Sequence, residues 1–365
     1  MKTSRRGCLQ TAAAWFVAPA AGAAAPPSSG SLKIGQGLSD VADETLRFYA
    51  QLGIQYVTMP AAYNTAVRKR PLSPPAAKPP GEARSRAWDE ATLAKVKHRI
   101  EAAGLKPELI HIGGFQRLLL GRPGWEEDIE NVAQSVRAAG KVGIPVVEYS
   151  FTPLRGSEGY YRTTGRGGSG LRAFDHDRVK DLPPFEEVGR HSREQTWERL
   201  TKFLKAAVPV AEKAGVRLAC HPNDPPIPVF RGAAQPVRSL DDLKRVIEVV
   251  DSPSNGITLD TGVTTEMGEN AVEAIRYFGR RDRINHVHFR NVRVQAPNYR
   301  YTETFHDEGE ADLLACMKAF KEVGYSRLII PDHTPEITGD TVASQIGWAW
   351  ALGYMRALAQ AAERS

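Results

Sequence analysis

Residues 239–262 read SLDDLKRVIEVVDSPSNGITLDTG. In the first half Leu240, Leu243, Val246, Ile247 and Val250 recur at helical spacing, which makes 239–250 an amphipathic helix. A polar break follows, and 256–262 then reads as a short strand that ends at Asp260 and Gly262. The same alternation extends in both directions. Short apolar runs stand at 32–38, 54–60, 106–112, 145–151, 216–222, 256–262, 284–291 and 326–333. Each is followed by a helical stretch: 44–52, 89–103, 125–142, 192–214, 239–250, 271–279, 312–323 and 341–362. Several of these close on a glycine just past the last turn, namely Gly53, Gly104, Gly143, Gly215 and Gly324. Strand–helix alternation with short connections implies a parallel sheet, and a count of eight implies closure. The sequence therefore predicts an α/β fold, a (β/α)8 TIM barrel forming a single domain over 32–365.

The 365 residues are 42% hydrophobic and 25% charged, which excludes disordered, collagenous and coiled-coil classes. Three scattered cysteines, Cys8, Cys220 and Cys316, exclude a disulfide framework or a Cys-based zinc site. Residues 1–25 combine Lys2, Arg5 and Arg6 with an apolar middle and a small-residue end, the pattern of a cleaved export signal. Thr3 to Gln10 resembles the twin-arginine type, with the Sec route as second choice, so a periplasmic location is expected. Residues 26–31 read as a linker. The apolar middle is too short for a lasting span, and no later segment offers the roughly 18 apolar residues a span requires, so the mature protein is expected to be soluble. Loss of 1–25 lowers the formal charge from +6 to +3, and no Lys/Arg run carries interleaved aromatics. Nucleic acid is thereby excluded as a partner, while a homodimer stays open as an assembly.

Two connections exceed simple turns, 61–88 and 152–191. Both follow strand C-termini, the face where barrels of this kind carry their chemistry. The second, with Tyr160, Tyr161 and Arg162, is the better lid.

The last four strands end on residues that can hold a metal: His221, Asp260, His288 and Asp332. A single His or Asp at a strand end is usually a turn former, but four on successive strands would crowd charge at one mouth unless a cation neutralised it. Nitrogen and carboxylate donors together suit Mn²⁺, Fe²⁺ or Zn²⁺. His286 and His288 point to the same side of their strand; His288 is nearer the rim and is the ligand candidate, with His286 deeper. Cys220 and Cys316 read as buried apolar residues.

These residues also carry a family resemblance. LACHPNDPPIPVF (218–230) resembles the His-Pro-Asp-Asp-Pro-Pro segment of the mannonate dehydratases, a family of the xylose-isomerase-like barrel superfamily. RINHVHFRNV (283–292) resembles that family's strand-seven ligand segment, and PDH (331–333) its strand-eight Pro-Asp-His-Gly. Likeness continues upstream through 99–110, 118–132 and 139–154. The resemblance implies a metal-dependent hydro-lyase that removes the C2 proton and the C3 hydroxyl of a sugar acid, converting D-mannonate to 2-keto-3-deoxy-D-gluconate with Mn²⁺ or Fe²⁺. It further implies His333 as the acid/base, Arg162 in a carboxylate-binding loop and His306 near the reacting groups. Asn223, Asp224, Arg290 and Asn291 would contact substrate or orient the ligands.

The sequence departs from the family pattern at two places. Leu-Asp-Thr-Gly puts Asp260 where the family usually has Cys, which makes the site harder and favours Mn²⁺ or Mg²⁺. The stretch 342–348, VASQIGW, lacks the family's Tyr. Two other readings stand beside the lyase: an epimerase or isomerase of the same superfamily, with Glu148 taking part, and a non-catalytic sugar-acid-binding relative.

Overall fold

The computed structural model describes residues 32–61, 87–154, 158–295, 299–341 and 343–364. The expected export signal and linker, and nearly all of 61–88, lie outside the described residues.

In chain order the strands are β1 (Lys33–Gly37), β2 (Tyr56–Thr58), β3 (Lys106–Ile112), β4 (Val146–Ser150), β5 (Tyr160–Thr164), β6 (Gly170–Asp175) and β7 (Arg217–His221). They continue with β8 (Val229–Phe230), β9 (Ala233–Ala234), β10 (Asn255–Asp260), β11 (Ile284–His288), β12 (Val292–Gln295), β13 (Arg300–Glu303) and β14 (Leu328–Ile330). The helices are α1 (Asp43–Gln51), α2 (Glu90–Ala102), α3 (Gln116–Leu120), α4 (Trp125–Val142), α5 (Arg193–Ala214), α6 (Leu240–Val249), α7 (Thr261–Glu266), α8 (Ala271–Gly279), α9 (Leu313–Glu322) and α10 (Gln345–Arg364).

Eight strands close a parallel barrel in the order β1, β2, β3, β4, β7, β10, β11, β14 and back to β1. Seven of the eight fall inside the runs read from the sequence, and β10 starts one residue ahead of its run, at Asn255. The helices start and stop for local reasons. At α5, Ser192 Oγ accepts from the Gln195 amide while Gln195 Oε1 accepts from the Ser192 amide, which satisfies two otherwise orphaned donors. Gly215 ends the same helix at φ 66°, a conformation that disfavours residues with a Cβ. Apolar helix faces pack on the strands in one core that holds Leu93, Val136, Phe203, Val246, Phe278 and Phe320, each fully buried. Cys220 and Cys316 are buried as expected. No helix among the described residues is long and apolar enough to cross a membrane.

The described part of 152–191, residues 158–191, is a built structure rather than a loop. It supplies β5 and β6, which join β12 and β13 in an antiparallel sheet ordered β12, β13, β6, β5. This cap is fastened by a second apolar cluster that includes Leu154, Phe174, Val179, Ile227, Val292 and Tyr301. Strand β5 did not show in the sequence because YYRTT is partly exposed and polar on both faces. The short helices α3 and α7 were also not foreseen.

Candidate active site

Strands β7, β10, β11 and β14 deliver His221, Asp260, His288 and Asp332 to one rim. His221 Nε2 lies 3.1 Å from His288 Nδ1 and 3.7 Å from Asp260 Oδ2. His288 Nδ1 is 3.9 Å from Asp260 Oδ2 and 3.8 Å from Asp332 Oδ1. An ion at about 2.0–2.2 Å from each donor would space donors roughly 3.0–3.5 Å apart, so these separations are met or exceeded by a few tenths of an ångström. His221 Nδ1 is 2.6 Å from the Pro222 carbonyl, and donating there leaves the Nε2 lone pair facing the cluster.

Glu148, on β4, is a wall of the site that the sequence tied only to the epimerase reading. With His221 and His288 it forms one group able to hold an ion, and Asp260, His288 and Asp332 form another. The two groups share His288. His288 Nδ1 faces His221 and the aspartates, whereas Nε2 is 3.4 Å from Glu148 Oε1, so Glu148 sits where an outer carboxylate orients a ligating histidine. Thr258 donates to Glu148 Oε1 at 2.7 Å, and His111 Nδ1 lies 2.6 Å from Oε2. Burial alone would raise the Glu148 carboxyl, but His288, His111 and His286 outweigh it and hold it well below the usual range.

Arg290, 1% exposed, ties the acidic groups together. Its Nε is 3.1 Å from Asp260 Oδ2 and 3.4 Å from Asp332 Oδ2. Nη1 reaches Glu266 at 2.7 Å and Nη2 reaches Asp224 at 3.2 Å. Burial pushes Glu266 well above its ordinary range, Arg290 opposing. Asp224 and Asp332 are held low in spite of burial, Asp224 mainly by Arg290 and Arg172, Asp332 mainly by His333 and His288. Glu266 aside, the five carboxyl groups of Glu148, Asp224, Asp260, Glu303 and Asp332 outnumber the guanidiniums of Arg172 and Arg290 among the described residues of the site. That surplus of enclosed negative charge fits a divalent cation.

The cap closes over this rim. Tyr160 and Tyr301 both donate to Asp224 Oδ1, at 2.9 and 3.0 Å. Arg172 stacks on Tyr160 at 3.9 Å, with Nη1 3.4 Å from His333 Nε2 and Nε 3.5 Å from Glu303 Oε1. His333 Nδ1 is 2.9 Å from Glu303 Oε2, and Nε2 is 3.3 Å from Asp332 Oδ2. Asp224, His333 and, in the lid, Tyr160 were singled out in the sequence, whereas Arg172, Tyr301 and Glu303 were not.

Other sequence candidates do structural work. Asn223 donates to Phe151 O and Thr152 Oγ1 and accepts from the Val237 amide, which ties the ends of β4 and β7. Asn291 bonds the backbone of His306, Ala311 and Val292. His306 is buried with Nε2 2.8 Å from the Phe289 carbonyl, and burial pushes its imidazole down to about 4. Arg162 pairs with Glu336 on the cap, beside Arg172 on the neighbouring strand. His286, deep in the barrel, faces the Leu328 carbonyl, and burial pushes it down to about 3.

A cavity of about 500 Å³ opens beside the cluster, lined by His111, Gly113, Gly114, Gln116, Glu148 and Thr152 among others. A Cβ added to Gly113 would meet nothing within 4 Å, so this wall is bare backbone.

Known proteins share this arrangement of chain. The profile of the family described as D-mannonate dehydratase (UxuA) matches residues 75–191 and 183–365. A mannonate dehydratase of Thermotoga neapolitana is 31% identical over 322 residues, 76% of this chain and 88% of the relative. One from Thermotoga petrophila is 33% identical over 288 residues, 69% of this chain and 79% of the relative. The crystal structure of mannonate dehydratase from Streptococcus suis serotype 2 superposes with a TM-score of 0.79 at 27% identity, covering 91% of this chain and 95% of that one. On the matched length and on these relatives, the chain belongs to the D-mannonate dehydratase family.

Proposed function

We propose that this protein is a hydro-lyase that dehydrates a sugar acid, D-mannonate to 2-keto-3-deoxy-D-gluconate, and that it depends on a divalent ion, Mn²⁺ or Fe²⁺. The observation that carries the proposal is that His288 Nδ1 stands within 4 Å of His221, Asp260 and Asp332 on one rim, in a chain of this family.

His221, Asp260, His288 and Asp332 would hold the ion, which supplies Lewis-acid polarisation of the substrate carboxylate so that the C2 proton becomes acidic. Arg290 fixes Asp260 and Asp332 in place, and Pro222 and Glu148 fix the two imidazoles. His333 takes the C2 proton at Nε2, with Nδ1 oriented by Glu303. Arg172, beside that nitrogen, binds the anionic end of the substrate. The cap excludes water, which strengthens each of these contacts.

The test is incubation of purified protein with D-mannonate and Mn²⁺ or Fe²⁺, followed by detection of the 2-keto-3-deoxy acid. No product with either ion would sink the lyase. The buried Glu148 favours an epimerase as second reading. That reading calls for deuterium uptake from D2O with no loss of water, whereas tight binding with neither reaction would indicate a sugar-acid carrier.

Residues 1–25 are proposed to direct twin-arginine export to the periplasm. Cell fractionation of the Arg5→Lys, Arg6→Lys double variant checks this, since undiminished export would rule that route out.

A further inference from the structure

The cap meets the barrel at two joints, and only one of them holds a reacting group. On β13 Tyr301 and Glu303 stand two residues apart, as do Arg172 and Phe174 on β6, so each pair shares a face of its strand. Tyr301 and Tyr160 both sit opposite Phe174, from β13 and β5 on either side. One face of the sheet therefore carries Tyr160, Phe174, Tyr301, Arg172 and Glu303. At the first joint both phenol hydroxyls converge on Asp224 Oδ1, at 2.9 and 3.0 Å, while Arg290 Nη2 holds Oδ2 at 3.2 Å from inside the barrel. At the second, Glu303 Oε2 stands 2.9 Å from Nδ1 of His333, which follows β14.

Both joints belong to one packed face. Phe174 lies between the tyrosines, its ring centroid 4.9 Å from that of Tyr160 and 5.5 Å from that of Tyr301. Arg172 lies over Tyr160 at 3.9 Å, with Nε 3.5 Å from Glu303 Oε1. A displacement at Asp224 is thereby carried along the face to Glu303. Packing alone does not call for the hydroxyls, since phenylalanine would fill the apolar cluster equally well. Each phenol has one proton and gives it to Asp224, which Arg290 and Arg172 keep charged in spite of burial, so neither phenol is left a proton for a ligand. Two charge-assisted hydrogen bonds onto one oxygen fix a height and an angle that apolar contact leaves loose.

We propose that Tyr160 and Tyr301 are positioning residues, whose hydroxyls seat the cap on Asp224 and so hold Glu303 against His333. The inference rests on the dehydratase reading above and names what keeps the acid/base imidazole of that reading oriented. With the cap seated, the Glu303 carboxylate favours the Nδ1–H tautomer, and Nε2 keeps the lone pair that takes the C2 proton. With the cap unseated, Glu303 draws back and the imidazole divides between tautomers and orientations. The fraction poised for proton transfer then falls.

The experiment compares wild type, the Tyr160→Phe, Tyr301→Phe double variant, Glu303→Gln and the combination of all three. Turnover of D-mannonate is followed with Mn²⁺, and NMR of histidine-labelled protein is recorded with diamagnetic Mg²⁺. Phenylalanine keeps the rings and the apolar cluster and removes only the hydroxyls. In the double variant kcat is expected to fall about 10-fold or more with KM within about threefold of wild type. Its His333 imidazole resonances, identified by their absence from His333→Asn, should move toward their positions in Glu303→Gln. In the Glu303→Gln background the tyrosine substitutions should lower kcat by less than about twofold, because the residue they act through is already gone. A full second loss there, or His333 resonances unmoved in the double variant, overturns the assignment; unmoved resonances with product abolished would make a hydroxyl itself the proton donor. Should the double variant fail to fold, each single variant replaces it, and unmoved resonances in both overturn the proposal equally. A wild type inactive on sugar acids brings down the dehydratase reading while the resonances still test the joint, whereas an active wild type with an unaffected double variant brings down the joint alone.

Discussion

The Nε2 of His221 and the Nδ1 of His288 face each other at 3.1 Å, with their ring centroids 4.8 Å apart. Because His221 spends its Nδ1 on the Pro222 carbonyl, its lone pair points at His288, with Asp260 and Asp332 close by. Such a pair needs either a shared proton or a shared cation, and the surrounding carboxylates favour the cation. Asp332→Ala, which leaves the barrel core untouched, should lose bound divalent metal and at least about 100-fold of activity. Metal analysis of the purified variant checks the first, and a chelator followed by Mn²⁺ should reversibly reproduce the second in wild type.

Arg290 is enclosed and holds Asp224, Asp260 and Glu266 at once. Arg290→Met should cost about 3–5 kcal/mol, since it strands buried carboxylates that nothing else in contact neutralises as well. Urea unfolding would measure it, and a change below about 1 kcal/mol would contradict this role.

His306 gives a pH dependence of definite sign. Burial lowers its folded pKa to about 4, against the upward pull of the Phe289 carbonyl, from an ordinary value near 6.5. The unfolded chain therefore binds the extra proton first as pH falls. The stability tied to neutral His306 is complete above about pH 6.5 and is lost progressively toward pH 4, on the order of 3 kcal/mol over the window. His306→Asn should flatten the unfolding free energy across that interval; an unchanged slope would show that other groups set it.

Phe174 is 1% exposed, stacked on Tyr301 at 5.5 Å and tilted against Tyr160 at 4.9 Å. Phe174→Ala should loosen the cap by about 3–5 kcal/mol of lost packing. Amide exchange should then rise across β5, β6, β12 and β13 while the barrel strands stay protected, with KM for the sugar acid raised. Uniform faster exchange throughout would mean that the cap and barrel unfold as one unit.

The barrel was legible because each of its strands is a compact apolar run with an amphipathic helix behind it, as 239–262 shows within a single stretch. The rim was legible because strand-end position is a property of sequence: His221, Asp260, His288 and Asp332 each close a run that can be read directly. The cap was not, since Tyr160, Arg172, Tyr301 and Glu303 sit on short polar strands whose pairing joins distant parts of the chain. Glu148 could have been placed beside the rim residues, as it lies near the end of the 145–151 run. Asn223, Asn291 and His306 have the residue types of substrate contacts yet each bonds to backbone, which only coordinates reveal.

The cap is woven from strands more than a hundred residues apart in the chain, β5 and β6 with β12 and β13, while the donor atoms beneath it belong to the staves themselves. Ceiling and hearth can thus drift separately over generations. Altered side chains overhead would admit a differently shaped sugar acid, so long as Glu303 and Arg172 stay beside His333.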